Sequence, residues 1–149
     1  MYNNNVDKEK KGIYIMGLDN GVVLRITNKE KFGDLPKWFA KTFQYDENTY
    51  EIMYWRKCWN VREFVLDLFE DLYDDETCEM KLTLELLKIL NRELKSIYNR
   101  KAWDGGDSIW TWKECRSYRK RKLRFSKRVA KWLKNKPEDS YELSFYDSY

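Results

Sequence analysis

The sequence predicts an α+β fold in which a small antiparallel sheet packs with three main helices, the last of them long and basic. The sheet is indicated by two apolar segments that flank Asn20-Gly21 and by the alternation along residues 49–56, TYEIMYWR. The helices are indicated by apolar residues that recur three and four positions apart over 61–73, 82–100 and 108–135. A chain of 149 residues suits a single domain with a buried core. We expect residues 1–11 to form a disordered lead-in and residues 12–149 to form that domain.

The first predicted element is a β-hairpin with strands over 12–17 and 22–27. Asn20 and Gly21 predict its tight turn, because both residue types tolerate the positive φ that such a turn requires. A short helix should follow, with Asp34 as its cap and Pro36 in its first turn. Three aromatic residues should share one side of this helix: Trp38, Phe39 and Phe43.

The third predicted strand covers residues 49–56. Strict alternation sorts its side chains onto two faces. One face should carry Tyr50, Ile52 and Tyr54, and the other Glu51, Met53 and Trp55.

The first two main helices are amphipathic. Asn60 and Glu63 match a helix-capping pattern at the start of the helix over 61–73. Its apolar stripe comprises Val61, Phe64, Val65, Leu68, Phe69 and Leu72. The next helix, over 82–100, has a stripe that comprises Leu86, Leu87, Leu90, Leu94, Ile97 and Tyr98.

The third main helix should run from a cap at Asp107 or Ser108 to about Asn135, because Pro137 cannot continue it. Its apolar stripe, which Lys122 interrupts, comprises Ile109, Trp112, Cys115, Tyr118, Phe125, Val129 and Trp132. After it, the alternation over 141–146 predicts either a last strand that joins the sheet or a loose acidic tail.

Positive charge is concentrated in this last helix. Residues 113–136 contain twelve Lys or Arg against one acid, Glu114, although the whole chain carries only +4. Like charges three and four positions apart destabilise a helix, so these cations require compensation. The molecule's own acidic segments, near 70–79 and in the C-terminal tail, are one source. An external anion or an acidic protein surface is the other. For the external partner, the candidate binding residues are Arg116, Arg119, Lys120, Arg124, Lys127, Arg128 and Lys131.

A second candidate site is the strand-to-helix corner that reads MYWRKCWNVR, residues 53–62. Arg56, Lys57 and Arg62 would present donors near a helix N-terminus, where free N–H groups and the helix dipole favour phosphate. Trp55 would supply a stacking surface for a base, with Trp59 beside it. The alternative is architectural: Trp59 packs on the first turn of the helix, and the corner belongs to the core.

The sequence contains no His, and Cys58, Cys78 and Cys115 are scattered without a CxxC spacing. These features argue against an ordinary zinc site, a disulfide framework and His-assisted catalysis. We therefore expect no catalytic residue, no cofactor and no bound metal. One enzymatic alternative remains, a metal-dependent nuclease that would use Asp67, Asp71, Asp74 and Asp75 along one helix side.

The N-terminal residues MYNNNVDKEKK are polar, unlike a signal peptide, and no apolar run approaches the length of a membrane span. The free cysteines suit a reducing compartment. We expect a cytoplasmic protein without membrane attachment. The sequence is also compatible with a homo-oligomer.

Two segments, Leu18-Asp19-Asn20-Gly21 and Tyr54-Trp55-Arg56-Lys57-Cys58-Trp59, resemble small uncharacterised proteins of bacteriophages and mobile elements. The likeness covers mainly the first 65 residues. It implies no activity, but it implies a bacterial host cytoplasm and a role in countering host defence.

Taken with the charge, the sequence predicts a non-catalytic phage-type protein that captures a phosphate-bearing ligand, either a nucleotide signal or a nucleic acid, through the basic helix. The first alternative is a protein-interaction inhibitor of a defence effector, similar to anti-CRISPR proteins. It would use aromatic anchors and the basic helix against an acidic surface. The metal-dependent nuclease is the second alternative.

Overall fold

The sheet has five strands, all antiparallel to their neighbours. The computed structural model describes residues 19–56, 59–98 and 112–148. Within them the strands follow the spatial order β2-β3-β1-β5-β4. They are β1 (Asp19–Ile26), β2 (Gln44–Asp46), β3 (Thr49–Arg56), β4 (Glu79–Leu82) and β5 (Tyr141–Ser148). The predicted α+β class is confirmed, and so are the strand over 49–56 and the strand formed by the C-terminal segment.

Five α-helices accompany the sheet in the described residues. They are α1 (Lys29–Phe32), α2 (Lys37–Ala40), α3 (Trp59–Leu68), α4 (Leu84–Tyr98) and α5 (Trp112–Leu133). Two 3-10 turns, Glu70–Leu72 and Glu138–Ser140, complete the description. The core joins Val22 and Phe145 of the central strands to Leu87 of α4 and Val129 of α5. Burial of these apolar side chains is the main stabilising contribution to such a fold.

The predicted hairpin turn at Asn20-Gly21 is wrong, because both residues lie within β1. Gly21 faces Tyr54 on one side and Tyr146 on the other. A Cβ atom at Gly21 would lie 2.6 Å from a ring carbon of Tyr146 and 2.7 Å from the carbonyl oxygen of Met53. The glycine therefore permits a close approach between strands instead of a positive φ. The predicted strand over 12–17 and the lead-in over 1–11 lie outside the described residues.

The predicted two faces of β3 are also wrong, because a β-bulge interrupts the alternation. Val22 faces Met53, whereas the next residue, Val23, faces Glu51, so Ile52 has no opposite partner. A bulge of this kind moves the following side chains to the other face. The residues Tyr50, Ile52, Met53 and Trp55 are consequently all buried.

Several helix boundaries differ from the predicted ones. The short helix expected after Asp34 occurs as α2, and an additional one-turn helix, α1, precedes it. Asn28 caps α1 by accepting a hydrogen bond from the Lys31 N–H, and Pro36 precedes α2. Phe43 is 60% exposed instead of packing beside Trp38 and Phe39.

The bounds of the two amphipathic helices differ from the predicted ones. The first ends at Leu68, and a 3-10 turn over Glu70–Leu72 follows it. The predicted start of the second falls in β4, so α4 begins only at Leu84, where the Thr83 hydroxyl accepts from the Leu86 N–H at 3.1 Å.

The long basic helix is confirmed over Trp112–Leu133, but its buried face is rotated relative to the predicted stripe. Among the side chains that the structure describes, from Lys120 onwards, the buried ones are Leu123, Ser126, Val129, Ala130 and Leu133. Phe125 and Trp132 lie at the edge of this face, in a ring cluster with Trp38 and Phe39. The rotation arises because α5 packs against α4 on one side and these aromatic rings on the other.

Candidate anion-binding groove

Some cations of α5 and the segment after it are held by the fold. Lys122 Nζ lies 3.4 Å from a carboxylate oxygen of Glu51. The Arg128 guanidinium lies 4.2 Å from the centre of the Trp38 ring, a cation–π distance. Lys136 donates to the backbone carbonyl of Phe32 at 2.7 Å. These side chains anchor the helix to the rest of the domain.

A second set of cations on α5 forms one continuous row, which we term the basic stripe. Its members are Lys120, Arg124, Lys127, Lys131 and Lys134. Successive spacings of four and three residues place them on one side of the helix, over a length of about 21 Å at 1.5 Å per residue. Four of the five side chains are exposed and Lys120 is half-buried. Within the part of the chain that the structure describes, no stripe residue makes an ion pair.

Three of the acids that could have neutralised the basic stripe pair with other cations. In the C-terminal segment, Asp139 pairs with Lys31 at 2.6 Å, and Glu142 lies 3.5 Å from Arg25. In the other acidic segment, Glu79 lies 3.6 Å from Lys81. Among the described residues, internal compensation of the stripe is therefore not observed, and its positive potential faces solvent.

Helix α4 adds a second row of cations beside the basic stripe. Lys88, Arg92 and Lys95 repeat the spacing of Lys127, Lys131 and Lys134, and the two rows line one groove of about 430 Å³. The other two lining residues are Asn91 and Ala130. Six of the eight lining residues are therefore cationic, and none is acidic or aromatic. Nearby acids weaken this charge only slightly, since Lys88–Glu85 and Arg92–Glu93 are exposed surface pairs at 3.4 Å.

The base of the groove is held by a buried hydrogen bond between the two helices. The Ser126 hydroxyl donates to Asn91 Oδ1 at 2.7 Å, and both residues are almost fully buried. This bond fixes α4 beside α5, so the two rows of cations keep their relative position. Sequence reasoning had not identified the α4 row. Its signal was the recurrence of Lys or Arg at 88, 92 and 95, on the edge of an otherwise ordinary amphipathic helix.

No family model, curated protein or solved structure matches this chain. The likeness to phage proteins thus stays a prediction.

The helices in the described residues are too short or too polar to cross a membrane.

At the corner over 53–62, two predicted ligand-binding side chains have partners in the fold. Trp55 is 2% exposed and lies beside Phe145, so its ring offers no open face to a base. Arg62 donates through Nε to both carboxylate oxygens of Asp147 at 2.9 Å. These contacts agree with the architectural interpretation of the corner. Lys57 and the side chains of Arg56 and Trp59 lie outside the described part of the chain, as do the side chains of Arg116 and Arg119.

Asp147 is the centre of a buried polar cluster at that corner. Besides Arg62, it accepts hydrogen bonds from Asn20 Nδ2 and from the Tyr73 hydroxyl at 3.0 Å. Burial and the negative charge of Asp147 raise the pKa of Tyr73 well above its usual range, so this hydroxyl keeps its proton and remains a donor. The cluster connects β1, α3 and β5, and its role is structural.

The carboxylates proposed for a nuclease do not share one helix side. The helix ends at Leu68, so Asp67 lies in α3, Asp71 in the 3-10 turn, and Asp74 and Asp75 beyond both. In residues 19–56, 59–98 and 112–148, no group of three or more side chains is placed to hold a metal ion.

Proposed function

We propose that this protein is a binding protein, without catalytic activity, that captures a phosphate-bearing ligand in the groove between α4 and α5. The observation that carries the proposal is the groove lining, in which six cations face one concave space without an acid. Such an arrangement raises the local concentration of anions and releases counterions when phosphates bind. If the likeness to phage proteins holds, capture would sequester a nucleotide signal or a nucleic acid of the host defence.

The shape of the groove supports capture over a general affinity for anions. A convex helix face presents its cations outward, one at a time, whereas two facing rows allow one phosphate to contact Lys or Arg from both sides. Charge-assisted hydrogen bonds of this kind are about twice as strong as neutral ones. The Asn91–Ser126 bond keeps both rows in place before the ligand arrives, which lowers the entropic cost of binding.

A charge-reversal pair tests this proposal. The triple variant Lys127→Glu, Lys131→Glu, Lys134→Glu reverses one wall of the groove. The triple variant Lys29→Glu, Lys37→Glu, Lys41→Glu makes the same change in net charge at exposed residues outside the groove. Binding of inorganic pyrophosphate, ATP and a twelve-nucleotide dT strand would be measured by isothermal titration calorimetry at about 50 mM salt, where phosphate contacts are screened less than at physiological salt.

We expect the wild type to bind at least one of these probes. The affinity of the groove variant should be at least tenfold lower than that of the wild type, and the affinity of the control variant should fall much less. Circular dichroism should show that both variants remain folded. If the wild type binds none of the probes, or if the two variants lose affinity equally, the proposal is contradicted.

One observation favours the alternative of a protein-interaction inhibitor. Tyr45 lies on the edge strand β2 and is 43% exposed, and Phe43, just before that strand, is 60% exposed. Their ring centres are 5.0 Å apart, and the rings pack edge to face. Exposed aromatic pairs serve as anchors in protein interfaces. A complex with a protein that persists in high salt, and that Phe43→Ser abolishes, would favour this function over phosphate capture.

A further inference from the structure

We infer that the ligand of the α4–α5 groove is a single strand of nucleic acid, held by its phosphate backbone without contacts that read its bases. This inference rests on the proposed function and narrows its ligand class. The geometry behind it is the continuation of one groove wall beyond the groove. The basic stripe starts at Lys120 and Arg124, before the groove residues Lys127, Lys131 and Lys134.

The length of the stripe indicates a chain of phosphates. Its five cations extend over about 21 Å, and a nucleic-acid strand carries one phosphate per about 3.4 Å of axis in stacked geometry. The stripe therefore matches roughly six consecutive phosphates. A mononucleotide would engage one end of it and leave most of the cations without a partner. The absence of ion pairs along the stripe, within the described residues, is consistent with a ligand that contacts all of it.

The composition of the groove indicates that bases are not read. None of its eight lining residues is aromatic, so the groove offers no ring for a base to stack on. Its amide, Asn91, is 3% exposed and already accepts a hydrogen bond from Ser126. The remaining side chains are Ala130 and cations, which suit phosphate oxygens.

The packing of α5 disfavours the usual way in which a helix reads a duplex. A recognition helix enters the major groove, about 12 Å wide, with its cationic face clear of neighbouring elements. Here α5 buries Leu123, Val129 and Leu133 in the core, and α4 lies along the neighbouring side. The cations of both helices instead converge on a concave space of about 430 Å³, which suits a flexible strand better than a rigid duplex.

Oligonucleotides of increasing length test the inference. Labelled dA strands of two, four, six and twelve nucleotides, which keep the stacked spacing, would be measured by fluorescence anisotropy, with a twelve-base-pair duplex, ATP and inorganic pyrophosphate as unlabelled competitors. We expect affinity to rise steeply up to about six nucleotides, the number that matches the stripe, and only slightly afterwards. Strands of dT and dC should bind within about threefold of each other, because no base contact distinguishes them.

Salt dependence supplies a second readout. If the five cations of the stripe each neutralise one phosphate, the logarithm of affinity should fall with the logarithm of salt concentration with a slope of about −3.5. Binding then weakens about 130-fold between 50 mM and 200 mM salt. The triple variant Lys127→Glu, Lys131→Glu, Lys134→Glu should make this slope shallower by about two, at about 0.7 per lost phosphate contact. The control Lys29→Glu, Lys37→Glu, Lys41→Glu should leave it unchanged.

A variant with a shorter stripe tests most directly whether the length of the stripe sets the length of strand that is bound. Lys120→Ala with Arg124→Ala leaves the groove intact but reduces the row to about 10 Å, which matches roughly three phosphates. The length at which affinity stops rising should then fall from about six nucleotides to about three. Separately, Lys88→Glu, Arg92→Glu, Lys95→Glu should weaken all strands, since it reverses the opposite wall.

The outcomes separate this inference from the function it rests on. ATP or pyrophosphate binding as tightly as the six-nucleotide strand overturns the inference and leaves phosphate capture standing. Tighter binding of the duplex, or a length profile that Lys120→Ala with Arg124→Ala does not change, also overturns the inference. No binding of any phosphate compound overturns both.

Discussion

Asp147 shows at the scale of a single residue how much the fold depends on one charge. Its side chain is fully buried, and Arg62, only 15% exposed, supplies the compensating charge at 2.9 Å. Removing one partner of such a pair leaves a buried charge without compensation. The carboxylate also accepts from Asn20 and Tyr73, so a neutral replacement weakens three contacts at once.

We therefore expect Asp147→Asn to lower the free energy of unfolding by about 3–5 kcal/mol, as measured by urea denaturation. Asp139→Asn is the matched control, because Asp139 also pairs with a cation, Lys31, but on the exposed surface. That change should have little effect, since solvent screens such pairs. If the free energy of unfolding fell by similar amounts in the two variants, the burial of Asp147 would not make its ion pair more important for stability than an exposed one.

Single residues were also where the sequence misled most. The pair Asn20-Gly21 predicts a hairpin turn, yet Gly21 meets the ring of Tyr146, which is 125 positions away in the chain. Ile52 is the bulge residue in the pairing of β3 with β1, whose Val22 lies 30 positions earlier in the chain. Local propensity cannot show either contact, because both depend on which strands become neighbours in the sheet.

At the scale of elements, hydrophobic periodicity predicted the type of the long segments correctly. The strand over 49–56 and the three amphipathic helices all occur. The two missed strands, β2 and β4, have three and four residues, too few to establish a period, and they exist because β3 and β5 pair with them. The buried face of α5 was rotated in the prediction, because helical spacing alone does not show which neighbours a helix will have.

The contact between α4 and α5 yields a prediction at this scale. Ser126→Ala removes the donor to Asn91 Oδ1 and leaves a buried acceptor unsatisfied, which should cost about 1–3 kcal/mol in the free energy of unfolding. The double variant Ser126→Ala with Asn91→Leu should recover most of this loss, because no unsatisfied polar atom then remains. Urea denaturation measures both. A double variant less stable than Ser126→Ala would show that the loss in Ser126→Ala does not come from the unsatisfied Asn91 oxygen.

For the whole molecule, the distribution of charge could be predicted but its geometry could not. The sequence showed that the net positive charge is concentrated in one helix, and the structure separates anchored cations, such as Lys122 and Arg128, from the basic stripe. The division depends on where Glu51, Trp38 and the acidic segments lie in three dimensions. The second wall of the groove, on α4, was likewise beyond prediction because it depends on how the two helices pack.

Stability at alkaline pH is a further property of the whole molecule, since several tyrosines in different elements contribute to it. Tyr146 lies across Gly21, and its hydroxyl is 3.0 Å from that of Tyr45. Burial, together with this neighbour, raises the pKa of Tyr146 well above its ordinary value of 10.0. Burial also raises the pKa of Tyr73 and of Tyr141.

The sign of the pH effect follows from these directions. Below pH 10 the folded and unfolded chains both keep the tyrosine protons, so the stability is fully present there. Above it the unfolded chain releases protons that the folded chain retains, and the free energy of unfolding falls as pH rises. Tyr146→Phe removes one of these groups, so its stability should fall less steeply than that of the wild type between pH 9 and about 11 in urea titrations. Equal slopes for the two proteins would mean that Tyr146 does not hold its proton more strongly in the folded state than in the unfolded chain.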